Sequence, residues 1–437
     1  MRRGHVVLAA VLFAGGGAPA ARAADDASLA QAVAAAVDAP TAKARAAAAV
    51  ALAARADASL EDWLSALPKF LPTVTYGVGE GEEEVAAPDG TKQKTPWYVP
   101  KSVERGKPAP LMLALHGTEM DGRDERERWR ATADAIGMVV VAPTAVVRDE
   151  GYGFTAAERA AALSALRWAR RRFDVDENRI FVSGVSRGGH MTWDLGSRNP
   201  GTFAALVPII GAPRLALQHG QNNLRFVENL STTPIRDLQG ALDDARAVSN
   251  VRLAFTRLEA AGATDAKLLE FSTRGHDFDF SAVDWAAFFR SARRDPRPER
   301  VVRRASNAAE SRAWWLEVLE TTPGAVSDEV APKQPVGWDK MSEESKRAYV
   351  QAEVDRLTAR LEVTRTGPGA FKATSAGVKR FRVLLDRSMF EPGKPVTVVW
   401  NGRTITRAVT PSKQVLLADF VERFDRTFLP IAEFVVY

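Results

Sequence analysis

The chain has no cysteine. Disulfides, structural thiolate zinc sites and cysteine nucleophiles are therefore excluded. Its stability has to rest on an ordinary apolar core, which 437 residues can supply. Histidine is scarce, at five residues, so chemistry that needs an imidazole base has few places to find one. Neither charge sign dominates. The 59 basic and 54 acidic residues leave a net charge of +5, and the basic residues are interspersed with acids instead of forming a stripe with aromatics. That pattern does not indicate nucleic-acid binding. Beyond the first residues no run is long and apolar enough for a stable membrane span. There is no internal repeat, which argues against a propeller or solenoid.

The N-terminus has a basic start, Met1-Arg2-Arg3, then an apolar run from Val6 to Ala14, then small residues ending Ala21-Arg22-Ala23. This is the pattern of a signal peptide over residues 1–23, cut after Ala23, and it predicts an exported protein, periplasmic or secreted. Residues 24–72 are alanine-rich and helical in pattern, broken at Asp38-Ala39-Pro40, with Ser59 and Asp62 as a capping pair for a third helix. This prefix is expected to pack on the unit that follows it.

Residues 73–295 alternate strands and helices. Strands are expected over Thr73–Val78, Gly81–Val85 and Thr95–Pro100, and then an apolar strand, Pro110–Leu115, ends in His116-Gly117-Thr118. A helix to Ile136 stops at Gly137, and Met138–Ala142 is a second all-apolar strand. Thr155 and Glu158 form a capping box ahead of a helix through Arg172. Later strands are read at Ala205–Ile210, Thr233–Gly240 and Lys267–Ser272, with helices at 245–260 and 281–293. Apolar strands without alternation, separated by amphipathic helices, predict a doubly wound, mostly parallel α/β sheet. Asp295-Pro296-Arg297-Pro298 reads as a boundary. Residues 296–437 carry period-two runs at 313–319, 348–354, 358–366, 379–385 and 395–400, an Asn401-Gly402 hairpin turn and one helix near 415–424. They predict a small β-sandwich-like domain.

Chemistry concentrates at Arg179–His190. A β-branched strand runs into Gly184-Val185-Ser186-Arg187-Gly188, and a helix-compatible segment follows. A serine at the tip of so tight a strand-to-helix turn needs small neighbours two residues away on each side. Gly184 and Gly188 supply them, and the helix N-terminus favours developing negative charge. A serine hydroxyl needs a base, and the base needs an orienting group. His5 lies in the signal peptide, His116 precedes a glycine at a strand end, His190 lies inside the elbow helix, and His219 sits in an irregular polar stretch. His276, in the loop after the last strand, remains as the base. The acid is sought after the penultimate strand. Asp237 falls within that strand and reads as structural. Asp243 and Asp244 both follow Gly240; Asp243 is favoured, and Asp244 reads as a helix cap. The backbone N–H groups of Arg187 and Thr118 are the expected oxyanion donors.

Leu113–Gly117, Gly184–Gly189, Gly240–Asp243 and Gly275–Phe278 together make Thr95–Arg293 resemble the α/β-hydrolase superfamily. The resemblance is strongest to serine esterases of the polyhydroxybutyrate-depolymerase, feruloyl-esterase and dienelactone-hydrolase kind. It covers a little under half of the chain. It implies a Ser186–His276–Asp243 triad, no cofactor and no metal. Dienelactone hydrolases proper use cysteine, so the serine argues against that substrate. The acid-bearing strand, Ile235–Gly240, is charged where such relatives are apolar. The expected activity is cleavage of carboxylic esters, small or polymeric. The alternatives are a peptidase of the prolyl-oligopeptidase type and a non-catalytic cell-surface protein on a hydrolase scaffold. The C-terminal domain, which has no histidine, is expected to carry no catalytic residue and either to cover a sheet edge or to hold a polymer or cell-surface ligand.

Overall fold

The structure, a computed structural model, describes residues 26–71, 77–104, 106–145, 155–215, 222–305, 312–322 and 332–437. The expected signal peptide, His5, His219 and most of the Thr73–Val78 strand lie outside them.

The α/β unit is one eight-stranded sheet. Its strands are β1 (Gly79–Ala86), β2 (Lys92–Val99), β3 (Ala109–Leu115), β4 (Val139–Val141), β5 (Val175–Val185), β6 (Ala205–Ile209), β7 (Ile235–Gly240) and β8 (Ala266–Phe271). Their order is β1-β2-β4-β3-β5-β6-β7-β8. The first two pairings, β1/β2 and β2/β4, are antiparallel, and the others are parallel. Every residue of β3 is buried, because both faces are covered. Leu111, Leu113 and Leu115 share a core with Ala165, Trp193 and Leu258. Those residues belong to three helices, α5 (Ala156–Arg170), α6 (Arg187–Arg198) and α7 (Ala245–Ala260); the helix before them, α4, is Gly122–Ile136. Met112 and Ala114 point the other way and pack with Trp129 of α4 and Phe289 of α8 (Trp285–Ser291). The expected 281–293 helix is shorter than read, because Asp284 caps α8 through Ala287 N–H.

The prefix forms α1 (Asp26–Val37), α2 (Ala42–Ala53) and α3 (Leu60–Ala66), with the Ser59/Asp62 capping box in place. Its packing differs from the expectation. Leu29, Val33, Leu52, Trp63 and Phe70 share one apolar core with the C-terminal segment, including Phe381, Leu416, Phe420 and Phe434. The two ends of the chain therefore build one composite domain, and the α/β unit lies between them in sequence. The amphipathic pattern of α1–α3 marks a face to be buried but does not say which partner buries it.

The C-terminal segment has two sheets. One is β10 (Arg312–Ala313), β11 (Leu316–Thr321), β14 (Val378–Leu385) and β17 (Ala432–Val436). The other is β16 (Arg403–Arg407), β15 (Val396–Trp400), β13 (Ala370–Ala376), β12 (Ala359–Gly367) and β9 (Arg300–Ala305). Asn401 and Gly402 both adopt positive φ, at 47° and 85°, in the β15/β16 hairpin, as a primed turn requires. The run at 348–354 corrects the sequence reading: it is not a strand but part of α9 (Glu343–Arg356). Ser342 caps α9, two glutamates occupy its first turn, and its buried residues Val350 and Val354 are four apart. That spacing is helical, and seven residues of apparent alternation are too short a window to exclude it. α10 (Lys413–Arg423) lies between the hairpin and β17.

Ion pairs join the composite domain to the α/β unit. Arg171 pairs with Asp38 at 2.8 Å. Glu228 meets Arg304 at 2.7 Å and Arg360 at 3.0 Å, and Asp355 reaches Arg257 at 2.5 Å. Adjacent residues of the composite domain also touch both boundaries of the α/β unit. Arg426 donates to Phe70 O at 3.1 Å, and Asp425 pairs with Arg294 at 2.7 Å. No helix among the described residues is long and apolar enough to cross a membrane.

Candidate active site

β5 delivers its last residues to the carboxyl edge of the sheet, and α6 starts one residue after Ser186. Ser186 adopts φ 56°, ψ −114°, a conformation that costs energy for a side chain with a Cβ. Its N–H donates to Ile209 O at 2.8 Å, and its own carbonyl accepts from His190 N–H at 3.0 Å. The turn closes only because its glycines lack side chains. A Cβ on Gly184 would lie 2.4 Å from Gly188 backbone, and one on Gly188 would lie 2.0 Å from Leu115 O. Ser186 is partly exposed at the mouth of this turn.

Three elements bring the other groups to it. His276, in the loop after β8, places Nε2 2.9 Å from Ser186 Oγ. Its Nδ1 lies 2.9 Å from Asp243 Oδ2, in the loop after β7. The two loops are pressed together, since a Cβ on Gly240 would lie 1.8 Å from Gly275 O. Asp243 is nearly enclosed while His276 is half exposed. Burial works to raise the Asp243 pKa. Hydrogen bonds from His276, Asp244 N–H and Gln239 outweigh that and hold the carboxyl below its ordinary range. Asp244 turns the other way and caps α7, accepting from Arg246 N–H at 3.1 Å and Ala247 N–H at 2.9 Å.

The loop after β3 flanks the serine. A Cβ on Gly117 would lie 3.4 Å from Ser186 Cβ, and Thr118 follows in an exposed turn. The Arg187 N–H stands at the first residue of α6. His116 is fully buried. Its Nε2 accepts from Ala145 N–H at 2.8 Å, which leaves Nδ1–H to donate to Gly117 O at 2.7 Å. It therefore shapes the Thr118 turn and stays away from the serine. His190 binds the Ala212 backbone through Nδ1. Burial, with the charges of Arg214, His276 and Arg187, pushes its pKa down to about 4, so it is neutral.

Sequence reasoning missed Gln239. Its amide donates to the same Asp243 Oδ2 that faces His276, at 2.9 Å, so it fixes the carboxylate from behind. The only trace in the sequence is a polar residue beside Gly240 in an expected buried strand; that it is fully buried is seen only in the structure. Asp237, also on β7, is fully buried and accepts from Trp193 Nε1 at 2.9 Å, while its Oδ1 has no partner among the described residues. Burial pushes its pKa well above the ordinary value, and the Trp193 bond only partly opposes this. The folded state keeps a proton that the unfolded chain gives up, so stability falls as pH rises above the usual carboxylate range. Asp237→Asn removes that loss and retains an acceptor for Trp193. Its Tm is expected to exceed wild type by about 2–4 °C at pH 8, with the gain vanishing near pH 4. A gain equal at both pH values would show that the carboxyl does not titrate as described.

A mixed, mostly parallel sheet wrapped by helices on both faces, with a serine on a strained strand-to-helix turn, is the α/β-hydrolase fold. No protein-family model matches the chain. A bifunctional acetylxylan esterase/xylanase of Neocallimastix patriciarum is 27% identical over 106 residues, 24% of this chain and 16% of that protein. The match thus spans under a fifth of that relative's length. Among solved structures, a thermostable esterase is 22% identical, with TM-score 0.36, over 44% of this chain and 55% of that one. The acylaminoacyl peptidase of Pyrococcus horikoshii is 13% identical, with TM-score 0.39, over 50% of this chain and 43% of that one.

Proposed function

We propose that this chain is an exported serine hydrolase that cleaves carboxylic esters through an acyl-enzyme. The observation that carries the reading is the pair of 2.9 Å contacts running from Ser186 through His276 to Asp243 on a strained elbow. Ser186 Oγ attacks the acyl carbon while His276 Nε2 takes its proton. The carbonyl oxygen becomes an oxyanion at the Thr118 and Arg187 N–H groups. As the tetrahedral species collapses, the C–O bond to the alcohol breaks and His276 returns the proton to it. Water then repeats the sequence on the acyl-enzyme and frees the acid. Asp243 keeps the Nδ1–H tautomer and balances the imidazolium. The partial match to a protein named a bifunctional acetylxylan esterase/xylanase is in keeping with an ester substrate. A fluorophosphonate probe is expected to label Ser186, and aryl esters are expected to turn over while peptide amides do not. No labelling would leave a non-catalytic scaffold; an amide preference would make it a peptidase.

The two neighbouring aspartates separate in this scheme. Asp243→Asn is expected to lower kcat by about 10²–10⁴-fold, because the amide no longer holds the productive imidazole tautomer. Asp244→Asn keeps most activity, since asparagine caps helices as well as aspartate does. Reversed effects would transfer the role to Asp244.

A further inference from the structure

A small, partly open cavity lies at the junction of the α/β unit and the composite domain. Its charged walls are Arg294, from the end of the α/β unit, Arg312 of β10, Asp419 and Arg423 of α10, and Asp425. Two of the three guanidinium groups are spoken for. Arg294 pairs with Asp425 at 2.7 Å, and Arg312 Nη1 pairs with Asp419 at 2.7 Å. The third, Arg423, has no hydrogen bond or ion pair among the described residues. Arg312 Nη2 is buried and also has no partner there. The surrounding charges do not make up the difference. Glu177 pairs with Arg170, and Asp174 pairs with Arg426, so the shell beyond is balanced. The cavity is lined by three positive and two negative groups, with the Arg423 guanidinium and the Arg312 Nη2 left unbonded among the described residues.

Arg423 is part-exposed, but the Arg312 Nη2 beside it is buried without an acceptor, which is costly. A bridging water would satisfy donors but would supply no charge. We propose that this cavity binds one small monovalent anion, of chloride size, between Arg423 and Arg312. The enclosed space is small, about that of a water-sized particle, which favours a small ion such as a halide over a bulky organic acid. The anion would join α10 and β10 of the composite domain to the Arg294 end of the α/β unit. Burial first and then the neighbouring Arg312 push the Arg423 pKa down to about 10, and Asp419 and Asp425 oppose this only in part.

Thermal unfolding of the full-length protein tests this. Sodium gluconate, too large to enter, is replaced stepwise by sodium chloride at constant ionic strength. The Tm of the wild type is expected to rise by about 2–4 °C and then saturate, as for a ligand of the folded state. Arg423→Met, which balances the charges, is expected to lose that rise and to match or exceed the wild-type Tm in gluconate. Chloride-35 NMR of the wild type should show line broadening that added bromide competes away, and this needs no variant to fold. A wild-type Tm indifferent to the exchange, an equal rise in Arg423→Met, or no competable broadening would overturn the site and leave a water there.

Discussion

Ser186→Ala and His276→Ala are each expected to reduce ester turnover by ~10⁴-fold or more, while each Tm stays within about 2 °C of wild type. The size of the loss follows from the geometry. Ser186 Oγ, His276 and Asp243 form one hydrogen-bonded line, so removing either the nucleophile or the base disables all three. No other imidazole in the described residues is available to substitute. His116 is committed to Gly117 and Ala145, and His190 to Ala212. The fold survives because neither side chain fills the core. Ser186 is partly exposed and His276 half exposed. Steady-state kinetics with an aryl ester beside thermal unfolding measures both quantities. A His276→Ala enzyme with near-normal turnover would remove the base assignment.

A chain ending at Arg294 is expected to be insoluble, with activity on soluble and polymeric esters lost together. Cutting there removes one half of a shared core. Leu29, Val33, Trp63 and Phe70 then lose Phe381, Leu416, Phe420 and Phe434. Each fully buried apolar side chain contributes about 1.5–3 kcal/mol, and a domain's net stability is only about 5–15 kcal/mol, so a handful of such losses is decisive. The cut also strips Arg304 and Arg360 from Glu228 and leaves a part-buried carboxylate against Arg257 alone. Size-exclusion chromatography and two assays, one with a soluble ester and one with an insoluble polyester, decide the matter. A monomeric, cooperatively unfolding product that hydrolyses the soluble ester normally and fails only on the polymer would make residues 296–437 a separable binding module instead.

What was legible in the sequence is what local sterics dictate. The elbow can be read because Gly184, Ser186 and Gly188 are close in sequence and a Cβ on Gly184 would strike Gly188; the clash at Gly188 itself, with Leu115 of β3, is not local. The α/β unit can be read because β3 is buried on both faces and apolar throughout, and β5 has an apolar, buried stretch at Ile180–Val182. Asp244 as a cap follows from its place at the start of α7. Other features depend on distant contacts that no short window encodes. The prefix showed an apolar face but not its partner. Gln239 became meaningful only once the loop after β7 folded back over it. Val350 and Val354 fit two periodicities until the cap at Ser342 and four-residue spacing were seen together.

The interleaved layout has a consequence for how the chain acquires its structure. Arg45 and Glu422, which bond across the composite domain, are 377 positions apart. Closing so large a loop from a disordered chain is slow, and parallel sheets are themselves slow to form. A folded α/β unit changes that problem, because the segments at its two boundaries dock on neighbouring parts of it: Phe70, just before the unit, lies under the Arg171 guanidinium, and Arg294 N–H donates to Asn178 O at 2.9 Å. Once that unit has folded, the two halves of the outer domain are already neighbours, and the long closure becomes a short one. The α/β unit thereby acts as the assembly template for the domain built from the segments on either side of it.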